Sequence, residues 1–330
     1  MTYLNTDRPA QPWTGRDDGD APEHARWFKI VQVLDANATA EDADAVLIGF
    51  ASDEGVRRNK GRQGAKEAPG ALRTALAGMS LTPAQAALKI LDAGDVVVDG
   101  QALEAGQQRL ANQVATIIDN CKGLPIVLGG GHEVAFGTYS GVAQSARRTG
   151  QRMGILNLDA HFDLRQAEHP SSGTPFRQAL EAEREAGTEL RYAIVGISQP
   201  SNTQALFNTA EEFGVRYLLD TESQVGDIQK VREFIAEFTA DIDLLYLTVD
   251  LDVLPAAVAP GVSAPAGYGV PLEVILTAVT AAAQSGKLVA ADIAELNPSL
   301  DVDHRTARTA ARILHTILNH LSEEKAQHHD

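Results

Sequence analysis

The stretch Asn157 to Arg165 reads NLDAHFDLR and sets Asp159, His161 and Asp163 at every second position, directly after the apolar run MGIL. Residues i, i+2 and i+4 of an extended segment point to one side, so two carboxylates and an imidazole can converge there. Two other stretches offer the same residue types: VLGGGHE carries His132, and LTVDLDVLP carries Asp250 and Asp252. Four aspartates and two histidines sum to four negative charges once ionised, which a low-dielectric cleft cannot hold unpaired. Two divalent cations balance them. An oxygen-rich set with some imidazole and no thiolate fits manganese better than zinc or copper, and leaves cobalt, nickel and iron open. Two such ions roughly 3.5–4 Å apart share a water, lower its pKa and aim hydroxide at an electrophilic carbon.

Taken singly, each group has a plainer explanation. An isolated D-x-H or D-x-D is most often a turn or cap, and His132 behind a glycine turn reads as a core histidine. The triple glycine lacks the following Lys of a phosphate loop. The weight comes from three groups at three strand ends. GRDDGD (15–20) lacks the spacing of a calcium loop and reads as an exposed acidic turn. His304, His315 and His320 fall on or near the last helix in surface or core roles, and Cys121 packs.

The residues must be positioned by the runs that precede them. AVLIGF (45–50), LKILDAGDVVV (88–98), LPIVLGGG (124–131), MGILNLDA (153–160), YAIVGIS (192–198), VRYLL (215–219), LLYLTVDLD (244–252) and LVAADIAEL (288–296) are apolar on successive positions, as strands covered on both faces are. Amphipathic helices alternate with them, for instance over 101–120, with Leu103, Leu110, Val114 and Ile117 in one stripe, and over 272–285 after Pro271. The pattern predicts a three-layer α/β/α domain, with a central parallel sheet of about eight strands and helices on both faces. Ligands bind such sheets outside the carboxyl ends of the strands, where the histidines and aspartates fall. One domain is expected over 1–330, with an N-terminal arm over 1–40 and a tail over 322–330.

The 44 acidic and 28 basic side chains give a net charge of −16 and a pI near 4.9, which excludes nucleic acid and anionic membranes as natural partners. A lone cysteine forms no disulfide within the chain, and neither a signal peptide nor a run of ~18 apolar residues is present. The expectation is a cytoplasmic protein acting on a small molecule.

GGGHE, DAHFDLR and TVDLDVLPAAVAPGVSAP resemble the three signatures of the arginase/agmatinase (ureohydrolase) superfamily, in that family's order, and the resemblance runs from about residue 25 to 315. It implies an arginase-like fold, a homo-oligomer and two Mn(II) ions per chain. One ion would be held by His132, Asp159, Asp163 and Asp250, the other by Asp159, His161, Asp250 and Asp252, with Asp159 and Asp250 shared. GFASDEGVRRNKGRQGAKEAPGALR, SSGTPFRQAL and SAPAGYGVPL resemble the branch that hydrolyses N-formimidoyl-L-glutamate to glutamate and formamide in histidine breakdown. The resemblance implies that hydroxide bridging the ions attacks the amidine carbon. Asp163 would then pass a proton to the departing amine, and Glu295, in DIAELNPSL, would pair with the cationic amidine.

Arginase-like members carry a proton-shuttling His where this chain has Ser172. The shuttle is absent, replaced by solvent or supplied by His169, and the change counts against the alternative, an agmatinase- or guanidinobutyrase-type hydrolase releasing urea. The substrate's carboxylates call for cations, and Arg57, Arg58, Lys60 and Arg62, with Asn59, are candidates in the loop after the first strand. Arg165, Ser172 and Arg177 beside the metal motifs complete the candidate set. A dinuclear metallophosphoesterase would need a late G-H-x-H pair, and none follows Asp252. A metal-stabilised binding protein of the same fold would hold metal without turnover.

Overall fold

The computed structural model describes residues 4–34, 43–121 and 123–327. Its apolar runs form β1 (Val31–Val33), β2 (Ala45–Ala51), β3 (Ile90–Val97), β4 (Leu124–Leu128), β5 (Met153–Leu158), β6 (Leu190–Ile197), β7 (Arg216–Leu219), β8 (Leu244–Asp250) and β9 (Leu288–Ala294). All pair in parallel in one sheet of order β1-β3-β2-β4-β9-β8-β5-β6-β7. Among the described residues the sheet therefore has nine strands, where the runs predicted about eight. The addition is β1, whose three residues are too short to leave a pattern and which pairs with β3 from Val31 opposite Ile90.

Successive residues of each strand serve opposite faces. Leu47, Leu156 and Leu247 pack with the helices Ala68–Ala77, Ile228–Ala240, Leu272–Ala283 and Arg305–Gln327. Ile48, Ile155 and Tyr246 pack with Leu103–Thr116, Val134–Gln144, Pro175–Ala186 and Gln204–Glu212 on the other side. Covering both faces is why the strands read as unbroken apolar runs. The helix expected over 101–120 ends at Thr116 and passes into a π turn, Ile117–Cys121.

The expected N-terminal arm is, over its described residues, part of the body. Trp27 is fully buried and donates from Nε1 to His315 Nδ1 at 3.1 Å, while Trp13 Nε1 donates to Asp92 at 2.8 Å. Instead of a tail, the last helix continues through the buried Ser322 to Gln327, and residues 1–3, 35–42 and 328–330 lie outside the described residues. No helix among the described residues is long and apolar enough to cross a membrane.

The order of the strands places the site. After β4 the chain crosses to β5 and leaves a slot that β8 and β9 fill later. The carboxyl ends of β4, β9, β8 and β5 thus stand side by side at the switch point where such sheets bind ligands.

Candidate active site

Each of these four strands delivers its residues just past, or at, its end. A turn of Gly129, Gly130 and Gly131 follows β4 and brings in His132. Gly130 is required there, because a Cβ would lie 1.9 Å from the carbonyl oxygen of Ser52. Asp159, His161 and Asp163 follow β5, Asp250 ends β8 with Asp252 two residues on, and Glu295 follows β9.

The side chains converge. Nδ1 of His132 lies 3.2 Å from Asp159 Oδ2, 3.0 Å from Asp163 Oδ2 and 3.1 Å from Asp250 Oδ2. Nδ1 of His161 lies 3.1 Å from Asp252 Oδ2 and 3.5 Å from Asp159 Oδ1. Two ligand groups result, His132–Asp159–Asp163 and Asp159–His161–Asp252, each with its ligand atoms within 4.8 Å of one another and with Asp159 in common. Asn157 Nδ2 (2.9 Å) and the amide of His161 (2.6 Å) fix the two oxygens of Asp159. Despite its three carboxylate neighbours, His132 Nδ1 makes no hydrogen bond, and Asp252 Oδ1 is also buried without one. Buried ligand atoms crowded against one another without a hydrogen bond to satisfy them fit divalent cations.

Backbone strain gathers here too. Asp163 (φ 50°), Glu295 (φ 70°) and Lys60 (φ 63°) adopt the left-handed region, which costs non-glycine residues on the order of 1–3 kcal/mol each and marks positions held by their surroundings. Glu295 is anchored by the amide of His132, which donates to its Oε1 at 2.9 Å.

Crowded carboxylates titrate late. Burial, then the charge of Asp159, raises the Asp163 carboxyl to about 6. Burial, then Glu133, raises Glu295 to about 8. Burial followed by Asp252 raises Asp250 well above the usual range. For His132 burial works against the charged ring, yet the nearby carboxylates of Asp159, Asp163 and Asp250 outweigh it and raise its pKa well above normal. All these folded values lie above the unfolded ones, so their stabilisation is present at low pH and lost as pH rises through 6 and 8. Asp159, shifted the other way, loses its contribution only below its ordinary 3.8. Metal ions bound by these residues would replace those protons. Manganese is therefore expected to raise Tm more at about pH 8 than at about pH 6 in scanning calorimetry. Equal shifts at both would place the binding elsewhere.

The cluster forms the floor of a cavity of about 560 Å³ whose wall includes Arg58, Asn59, Lys60, Gly61, Arg62, Arg165, Ser172, Ser263, Ala264 and Glu295. The basic residues divide sharply. Arg58 is tied to Glu54 (2.9 Å), Glu104 (2.7 Å) and the carbonyls of Gln101 (2.8 Å) and Pro170 (3.0 Å). Arg62 is tied to the carbonyls of Ser263 (2.9 Å) and Val262 (2.7 Å). Arg57, paired with Glu54 at 2.6 Å, and Arg177, paired with Glu181 at 2.8 Å, do not reach the cavity. Lys60 and Arg165 line it with exposed side chains that no acid engages among the described residues. Asn59 Nδ2 donates to Ser172 Oγ at 3.1 Å, so Ser172 closes the wall. His169 is 70% exposed beside Glu168 and stands off the wall.

Ser263, Ala264 and the supporting Asn157 and Thr248 go beyond the residues singled out in the sequence. For the last two a signal existed: they sit two positions before Asp159 and Asp250, on the same faces of β5 and β8.

A parallel sheet that gathers two histidines and four aspartates at its switch point is the construction of one hydrolase class. The chain belongs to the arginase family, whose model matches residues 43–319. Within that family its relatives include formimidoylglutamases: that of Rhodococcus opacus is 59% identical over 311 residues, 94% of this chain and 95% of the other. That of Ralstonia nicotianae is 47% identical over 329 residues, 98% of this chain and 100% of the other. Among solved structures, the formimidoylglutamase of Bacillus subtilis has a TM-score of 0.77 at 25% identity, covering 90% of this chain and 91% of that one. The formiminoglutamase of Trypanosoma cruzi, solved with Mn²⁺, has a TM-score of 0.75 at 26% identity, covering 85% and 94%.

Proposed function

We propose that the chain hydrolyses N-formimidoyl-L-glutamate to L-glutamate and formamide, a step of histidine breakdown, with two Mn(II) ions held by His132, Asp159, His161, Asp163, Asp250 and Asp252. The observation that carries this reading is one cavity holding the shared-aspartate cluster, a buried carboxylate beside it and two lining cations that meet no acid among the described residues. Relatives of the same name along almost the whole chain support it. Bound there, manganese balances the carboxylates and supplies activated water near neutral pH.

The chain's own residues do the rest. Glu295 pairs with the amidinium and turns its carbon toward the floor, an orientation that a fixed anion enforces through charge-assisted hydrogen bonds. Asp163, whose carboxylate faces the cavity, takes the proton of the attacking water and hands it to the departing α-amine of glutamate. A distant histidine shuttle is then dispensable, consistent with Ser172 at that place. Lys60 and Arg165 receive the two carboxylates, while Arg58 and Arg62 hold the loop that presents Lys60.

The test is product identity. Manganese-loaded protein should release formamide from N-formimidoyl-L-glutamate faster than it releases urea from agmatine, arginine or guanidinobutyrate. Faster urea release from any of these would favour a guanidino-compound hydrolase. Recognition is tested separately: Arg165→Glu and Lys60→Glu should each raise KM about tenfold with a smaller change in kcat, because a carboxylate would face a like charge. Arg57→Glu, outside the cavity, should leave KM within about twofold. An unchanged KM in both cavity variants would move the carboxylate site elsewhere.

A further inference from the structure

Tyr246, Thr248 and Asp250 alternate along β8 and so share one face, the last of them reaching the ligand cluster. Opposite Thr248, on β9, stands Asp292. It is fully buried, is not among the proposed ligands, and meets no Lys or Arg among the described residues. Its Oδ2 accepts the hydroxyl of Tyr246, and its Oδ1 makes no close hydrogen bond. Burial raises its pKa and is opposed by the neighbouring hydroxyls of Thr248, Tyr246 and Thr138, so the Thr248 hydroxyl lies near enough to turn its proton toward the carboxylate. Burying a carboxylate in this way is costly unless something beside it uses the charge. What lies beside it is Thr248, whose Oγ1 is 3.0 Å from His132 Nε2.

A neutral imidazole carries one proton, and the nitrogen that binds a metal is the one without it. The proton must therefore sit on Nε2 of His132 if Nδ1, which faces Asp159, Asp163 and Asp250, is to be the ligand. A hydroxyl can accept from Nε2–H only when its own proton is turned elsewhere, and across the strand pair Asp292 offers the acceptor. A hydroxyl turned the other way would donate to Nε2, place the ring proton on Nδ1 and block the ligand position.

We propose that Thr248 and Asp292 are positioning residues for His132. The buried carboxylate orients the threonine hydroxyl, the hydroxyl accepts Nε2–H, and the Nδ1 lone pair is presented to the ion. Tyr246 holds the second oxygen of Asp292 and keeps the carboxylate facing β8. This is a carboxylate–histidine pair in which a threonine relays the contact, and it makes the imidazole a better donor to the metal.

The inference rests on the two-ion reading of the cluster, and manganese titration of the metal-free protein by calorimetry, with electron paramagnetic resonance to resolve the two sites, separates the two. Thr248→Val, close in shape but without the hydroxyl, is expected to weaken the ion bound by His132 about 10- to 100-fold. The ion at Asp159, His161 and Asp252 should change less than about threefold, and Thr248→Ser should bind both ions within about threefold of wild type. If Thr248→Val does not fold, Asp292→Asn, which keeps the shape and loses the charge, should still weaken the same ion by more than about threefold. Two ions bound as tightly in Thr248→Val or Asp292→Asn as in wild type would overturn this inference alone, as would Thr248→Ser failing like the valine variant. Wild-type protein that bound no manganese would overturn the two-ion reading, and this one with it.

Discussion

Asp159→Ala is expected to abolish manganese binding and hydrolysis together, with a rate loss of at least about a thousandfold, or about 4 kcal/mol of barrier. Asp159 is the residue common to both ligand groups, and its two oxygens face one histidine each. Without it, the two groups lose the carboxylate that joins them, and each keeps only two of its residues. Asp252→Ala serves as the contrast, since Asp252 belongs to one group only and its loss should spare the ion beside His132. Circular dichroism with metal titration separates these outcomes from misfolding. A folded Asp159→Ala protein that binds two ions, or turns over within tenfold of wild type, would show that the shared ligand is misassigned.

Glu295→Gln should keep both ions and lose about 10²–10³-fold in kcat/KM, roughly 3–4 kcal/mol of transition-state stabilisation. Glutamine keeps the volume and one acceptor, so the bond from the amide of His132 and the turn at φ 70° can persist. What disappears is the anion. Burial and the charge of Glu133 hold the Glu295 carboxyl up at about 8, an expense that a bound amidinium offsets and a neutral substrate would not. If the variant matched wild-type efficiency at full metal content, Glu295 would serve only to hold His132.

Much of this was legible because the fold writes the site in a period of two. The strands are covered on both faces and therefore read as unbroken apolar runs, and ligand residues at alternate positions directly after them stand out, as in Asp159, His161 and Asp163. Strand β1 was not legible, since three residues carry no periodicity and its place is set by pairing with β3. Nor was the division among the arginines, because a sequence displays charges and not their partners. Part of it lay within reach: Glu54 precedes Arg57 and Arg58 by three and four residues, and Glu181 follows Arg177 by four, the spacings at which helical side chains pair. The link from Arg58 to Glu104 depends on the tertiary fold and leaves no such trace.

The histidines and aspartates at the ends of β4, β5 and β8 are proposed to form a two-ion centre, and the most direct measurement of it is the number of manganese ions bound per chain at saturation. Equilibrium dialysis of metal-free protein against manganese near neutral pH should give two ions per chain, falling toward none in Asp159→Ala. A wild-type value at or below one, or two ions retained in Asp159→Ala, would contradict the centre described here.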